Sequence, residues 1–131
     1  MNTPEGFSTL TPYIFVKDAR AFMQFLVAAF SALEVECTLG EDGRVANAQL
    51  KIGDSMVMIS EASEQYPAMP SAWYLYVENA EEAMQAAMAC GAKLEMEVAD
   101  MPYGDRQGGV VDPFGNIWWI SQRLVDRPYT G

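Results

Sequence analysis

Alternating apolar and polar positions divide the chain into short strands and two amphipathic helices. Pro12 to Val16 is a β-branched and aromatic run that predicts a strand. Asp18 stands as an N-cap, and Phe22, Phe25, Leu26, Ala29 and Phe30 follow at helical spacing. Further strands are expected near 34–39, 44–51 and 54–60, with Glu41-Asp42-Gly43 as a hairpin turn. Trp73 to Val77 predicts another strand. Asn79 then caps a second helix, with Glu82 as its capping-box partner and Ala80, Ala83, Met84, Ala87 and Met88 as its apolar stripe. Gly91 is placed to end that helix. Strands near 93–97, 107–112 and 116–122 follow, with a turn at Asp112-Pro113-Phe114-Gly115.

The order of elements in the second half repeats the first. FVKDARAFMQ at 15–24 matches YVENAEEAMQ at 76–85, so that Val16 pairs with Val77 at a separation of 77 − 16 = 61. Ile59-Ser60 and Ile120-Ser121 keep the same separation. The halves read as two copies of one strand–helix–three-strand module, at 11–60 and 72–122, within one domain spanning 1–131. The expected class is α+β, with two tandem βαβββ modules whose curved mixed sheets surround a cavity.

Strand periodicity assigns faces. Ile14, Val16, Val57, Ile59, Leu75, Val77, Trp118 and Ile120 share one face, which the helix stripes require. The opposite face collects Tyr13, Phe15, Met56, Met58, Tyr74, Tyr76 and Trp119, with Asn47 and Gln49 from the neighbouring strand. Flat apolar walls with sparse hydroxyl and amide groups suit a small-molecule pocket, and Met adapts its packing to irregular ligands. The same residues also suit ordinary core, packed against the other module or another chain.

Composition narrows the chemistry. Eighteen acids against eight bases give a net charge of −10, which repels nucleic-acid backbones and attracts cationic molecules. No nucleic-acid partner is expected. No apolar run reaches the ~18 residues of a membrane span, and MNTPEGFSTL lacks the pattern of a secretory leader. Two cysteines, Cys37 and Cys90, are too few for a disulfide framework and point to a cytoplasmic setting. The chain has no histidine, which removes the commonest general base and the commonest transition-metal ligand.

The stretches Thr11-Pro12-Tyr13-Ile14-Phe15-Val16-Lys17-Asp18-Ala19, Asp42-Gly43-Arg44-Val45 and Ile52-Gly53-Asp54-Ser55 carry a resemblance across essentially the whole chain. So do Met101 to Arg106 and Asp112-Pro113-Phe114-Gly115-Asn116-Ile117-Trp118. The sequence resembles the vicinal oxygen chelate superfamily of glyoxalases, bleomycin resistance proteins and extradiol dioxygenases, and its PhnB-like branch in particular. The resemblance implies paired βαβββ modules and a homodimer. It also implies metal-ligand positions at Thr11, Met58, Ala72 and Trp119, none of them His, Glu or Asp. Where the branch reads His-Ala-Glu-Leu, this chain has Asn47-Ala48-Gln49-Leu50. No metal and no cofactor are therefore expected.

The remaining candidates are few. Asp105 and Arg106 match the branch's Gly-Asp-Arg loop, where Arg106 could anchor a ligand's polar group and Tyr103 could stack over it. Alternatively the two form an ion pair within the loop. No acidic residue is expected on the pocket face, and Glu61 and Glu64 fall at its mouth or form a solvated charge pair. The leading expectation is a metal-free small-molecule-binding protein taking an aromatic or cationic ligand. The alternative is a glyoxalase-related lyase, isomerase or dioxygenase with an atypical or absent metal site. A third reading is a protein whose cavity is filled by Tyr13, Tyr74, Tyr76 and Trp119.

Overall fold

Each helix is fastened at its start by the end of a strand, and this fixes the shape of both halves. The computed structural model describes residues 2–129, and the chain divides after Met69 into two compact units. The first unit runs β1 (Tyr13–Val16), α1 (Ala19–Phe30), β2 (Leu33–Leu39), β3 (Val45–Ile52) and β4 (Ser55–Glu61). The second runs β5 (Ala72–Tyr76), α2 (Ala80–Ala89), β6 (Lys93–Asp100), β7 (Asp105–Val111) and β8 (Ile117–Arg123). The sheets have equivalent strand orders, β1-β4-β3-β2 and β5-β8-β7-β6. In each, the first strand runs parallel to the last and the other pairs are antiparallel. The two tandem βαβββ modules and the α+β class are thus present.

In the first unit, Asp18 accepts from the Ala21 N–H at 3.3 Å, and Glu61 at the end of β4 accepts from Asp18 N at 2.8 Å and Ala19 N at 2.9 Å. In the second, Asn79 accepts from Glu82 N at 3.1 Å, and Gln122 accepts from Ala80 N at 3.0 Å. Gln122 lies 122 − 61 = 61 residues after Glu61, so the repeat extends to the residue that satisfies the first helical N–H groups. Glu61 is therefore committed to α1 and is not a solvated charge. Glu61→Ala is expected to cost about 1–2 kcal/mol in urea unfolding, because an anion at a helix N-terminus gains from both hydrogen bonds and dipole. Glu61→Gln, the natural solution in the second unit, should recover about half. A loss below about 0.3 kcal/mol for the alanine variant would remove Glu61 from this role.

α2 ends at Gly91, whose φ of +101° lets Ala92 N reach back to Ala87 O at 3.1 Å. The cores lie between each helix and its own sheet. Phe22 and Leu26 of α1 are fully covered together with Leu50 and Ile59. Met84 and Ala87 of α2 are covered together with Val110 and Ile120. Burying each large side chain contributes about 1.5–3 kcal/mol. Gly108 admits Met84, since a Cβ there would lie 2.8 Å from the thioether sulfur. Among the described residues, no helix is long and apolar enough to cross a membrane.

Candidate functional site

Register confirms the division of faces in the first unit. Tyr13 pairs with Met58 and Phe15 with Ser60, while Gln49 lies opposite Met58. Tyr13, Phe15, Asn47, Gln49, Met56 and Met58 therefore share the face turned away from α1. The structure does not bring all six to one opening. Met56 is buried, with Gly6 so close that a Cβ there would lie 3.3 Å from its methyl carbon. Asn47 donates its amide to the Tyr13 hydroxyl at 3.3 Å. That hydroxyl is also 2.7 Å from Ser60 Oγ, which donates to Ala46 O at 2.7 Å.

Tyr13 and Phe15 wall a groove of about 870 Å³, within the size range of small-molecule sites. Its aromatic wall is a three-ring stack. Tyr13 lies 4.9 Å from Phe15 at 14°, and Phe15 lies 5.6 Å from Tyr66 at 19°. Sequence periodicity missed Tyr66, because it sits in the loop after β4 where no strand register applies. The hairpin between β2 and β3 forms the other wall, with Glu41, Asp42 and Arg44. Glu61 also lines the groove, but its carboxylate is already engaged by two backbone N–H groups.

In the second unit, Tyr74 pairs with Trp119 and Tyr76 with Ser121, while Gly109 lies opposite Trp119. Trp119 lies over Gly109, where a Cβ would come within 2.6 Å of the indole ring. β7 begins at Asp105, so Asp105 and Arg106 are strand residues and point to opposite faces. Arg106 grips Asp100 at 2.7 and 3.2 Å, on the face toward α2 and away from the tyrosines. Asp105 is fully buried on the tyrosine face. The expectation of a pocket face without acid is thus overturned, and so is that of an Asp105–Arg106 ion pair.

Asp105 instead organises a polar network. Tyr74 donates to its Oδ2 at 2.6 Å, Tyr129 donates to the same oxygen at 2.7 Å, and Arg123 Nη1 donates to Oδ1 at 2.9 Å. Burial pushes the Asp105 carboxyl up, but these hydrogen bonds and the Arg123 charge outweigh it and hold its pKa below the ordinary 3.8. Burial, then the hydrogen bond to Asp105, raises the Tyr74 phenol above its ordinary 10.0. The Tyr129 phenol is raised by burial of its hydroxyl end and by the hydrogen bond it donates to Asp105. Tyr103 donates to Gln107, whose amide donates to Ser121 Oγ at 2.8 Å.

Comparisons with known proteins agree with this architecture. The sequence model of the Glyoxalase/Bleomycin resistance protein/Dioxygenase superfamily matches residues 7–120. The chain belongs to that superfamily. An uncharacterised protein of Mycobacterium bovis is 32% identical over 124 residues, covering 86% of this chain and 82% of that protein. Among solved structures, TioX from Micromonospora sp. ML1 is similar at a TM-score of 0.76 and 22% identity, covering 90% of this chain and 99% of that one. A PhnB protein from Bacillus cereus is similar at a TM-score of 0.70 and 16% identity, covering 88% and 99%.

Vicinal oxygen chelate proteins implied metal-ligand positions at Thr11, Met58, Ala72 and Trp119. These residues offer one hydroxyl, one thioether, a methyl and an indole, a donor set that does not fit a hard divalent cation. The Trp119 ring is spent on packing over Gly109. Among the described residues, no three His, Cys, Asp or Glu side chains gather closely enough to hold a metal ion.

Proposed function

We propose that this superfamily member is a small-molecule-binding protein, holding a planar aromatic cation in the first unit's groove without a metal. The three-ring stack of Tyr13, Phe15 and Tyr66 along the groove carries this reading. A flat cation laid on an outer face of that stack gains about 0.5–2 kcal/mol, depending on how far it is desolvated. The groove's charged side chains add sign selectivity, since Glu41, Asp42 and Glu61 outnumber Arg44 and the chain carries −10 overall. Asn47, Gln49 and Met58 extend the same face and supply amide and thioether contacts for a larger ligand. A glyoxalase-related enzyme would need a free base in the groove, and among the lining carboxylates Glu61 is tied to the start of α1 while Asp42 accepts from Arg44 N at 2.9 Å.

Titration with proflavine, a planar aromatic cation, checks the proposal by fluorescence polarisation. Saturable binding is expected, weakening as salt rises from about 50 to about 500 mM. Phe15→Ala should weaken it about tenfold and a neutral, non-aromatic probe should not bind. Absence of saturable binding, or an affinity that Phe15→Ala leaves unchanged, sinks the proposal.

The proposed setting is a homodimer in the cytoplasm. Leu33, Val35 and Leu39 on edge strand β2 are 66%, 52% and 50% exposed, an apolar surface that a second copy would cover. Both cysteines are free thiols, as a reducing compartment would keep them.

A further inference from the structure

The segment after β8 is laid across the second unit and ends its described part in an unusual seat. Leu124 N donates to Gly104 O at 2.9 Å, and a Cβ on Gly104 would lie 2.7 Å from Val125 Cγ2. Arg123 Nη2 donates to Arg127 O at 2.5 Å, holding the segment's backbone. The Tyr129 ring then rests 4.2 Å from the Arg123 guanidinium carbon and meets Tyr103 edge to face at 6.2 Å. Its hydroxyl donates to Asp105 Oδ2 at 2.7 Å and lies 2.5 Å from the Tyr76 hydroxyl. A phenol has one proton to give. Since Tyr129 gives its proton to Asp105, Tyr76 is the donor in the second bond.

The seat thus supplies everything a phenol presents. A buried carboxylate accepts the hydroxyl proton, a second hydroxyl donates to the phenolic oxygen, a cation covers the ring face and an aromatic edge closes one side. An ammonium group would leave Tyr76 without an acceptor, and a bare hydrocarbon ring would leave Asp105 short of a donor. Yet Tyr129 is 48% exposed and belongs to a segment without regular structure, the kind of element that opens at least free-energy cost.

We propose that the Asp105–Tyr76–Arg123 seat is a binding site for small monophenols, and that Tyr129 occupies it as an internal, displaceable stand-in. None of these residues lines the first unit's groove, so the site stands independently of the aromatic-cation reading. A ligand must compete with a side chain tethered at high effective concentration, so the wild-type protein should bind free phenols weakly.

The test uses p-cresol, the side chain of tyrosine as a free molecule, with toluene as its hydroxyl-free counterpart, in titrations followed by ligand-observed NMR. Tyr129→Ala should bind p-cresol at least about tenfold more tightly than wild type, with no comparable gain for toluene. Adding Asp105→Asn to Tyr129→Ala should remove the gain. Tyr129→Phe keeps the ring but drops the hydroxyl, so it should show an intermediate gain, and it carries the test if Tyr129→Ala proves unfolded. Equal p-cresol affinity in wild type and both Tyr129 variants overturns the proposal, as does an equal gain for toluene. The proflavine titration uses other residues and another probe, so its outcome is read separately.

Discussion

Asp105→Ala is expected to lower stability by about 3–5 kcal/mol in urea unfolding, the range found when one partner of a buried ion pair is removed. The carboxylate is fully buried and accepts from three side chains, Tyr74, Tyr129 and Arg123. Its loss leaves the Arg123 charge, whose side chain is 22% exposed, without its partner and leaves two phenols without their acceptor. Asp105→Asn keeps the shape and one accepting oxygen, so about 2 kcal/mol is expected for it. A loss under about 1 kcal/mol for Asp105→Ala would mean that water replaces the carboxylate and that the network is not a structural centre.

The same network has a pH signature on both sides. The Asp105 pKa is lowered in the folded protein, so its contribution is present above the ordinary 3.8 and is lost as pH falls through the folded value. Asp105→Asn should therefore flatten the acid limb of the stability curve. The Tyr74 and Tyr129 phenols are raised, so their contribution is complete below 10.0 and is lost as pH climbs toward their folded values. Tyrosinate absorbance should show these two phenols ionising later than the rest of the chain's six.

Much of this architecture was legible because it is local or repeated. Asp18, Asn79 and Gly91 bound their helices as their chemistry requires, and a 61-residue spacing carried the strand order from one half to the other. The face assignment of Tyr13, Phe15, Tyr74, Tyr76 and Trp119 also held, because period-two alternation survives any uncertainty in where a strand ends. The failures share one cause. The sequence predicts β7 from Gln107 onward, through Gly108 and Gly109, and its likeness to a Gly-Asp-Arg loop leaves Asp105 and Arg106 outside the strand, whereas β7 begins at Asp105. Those glycines are in the strand because Met84 and Trp119 occupy the space their side chains would take. That is a tertiary reason, invisible to local propensity. Tyr66 and Tyr129 likewise reach the aromatic clusters through loops, where no periodicity points. The repeat itself held one unread clue, since Glu61 and Gln122 sit at the same spacing as the helices they cap.

The turn before β8 gives the other large effect. Asp112 is buried, and its Oδ1 accepts from Phe114 N at 2.8 Å and Asn116 N at 3.0 Å. Its Oδ2 accepts from Asn116 Nδ2 at 3.1 Å and Trp118 Nε1 at 2.8 Å. One side chain therefore closes the turn and fixes the indole that β8 turns toward α2. Asn116, itself fully buried, passes the constraint on by accepting from Ser71 N at 3.0 Å at the entrance to β5. Asp112→Ala orphans several buried donors at about 1–3 kcal/mol apiece, partly relieved by relaxation of the turn, so a total of about 3–5 kcal/mol is expected. Asp112→Asn is the sharper test. Its oxygen can still close the turn, but its amide nitrogen then faces the Trp118 N–H donor to donor. A cost of about 2–3 kcal/mol is expected, with a shifted indole N–H resonance for Trp118 and little change at Phe114 N. If Asp112→Asn instead matches wild type within about 0.5 kcal/mol, the Trp118 bond does not hold the turn, and β8 must owe its position to the pairing with β5 and β7 alone.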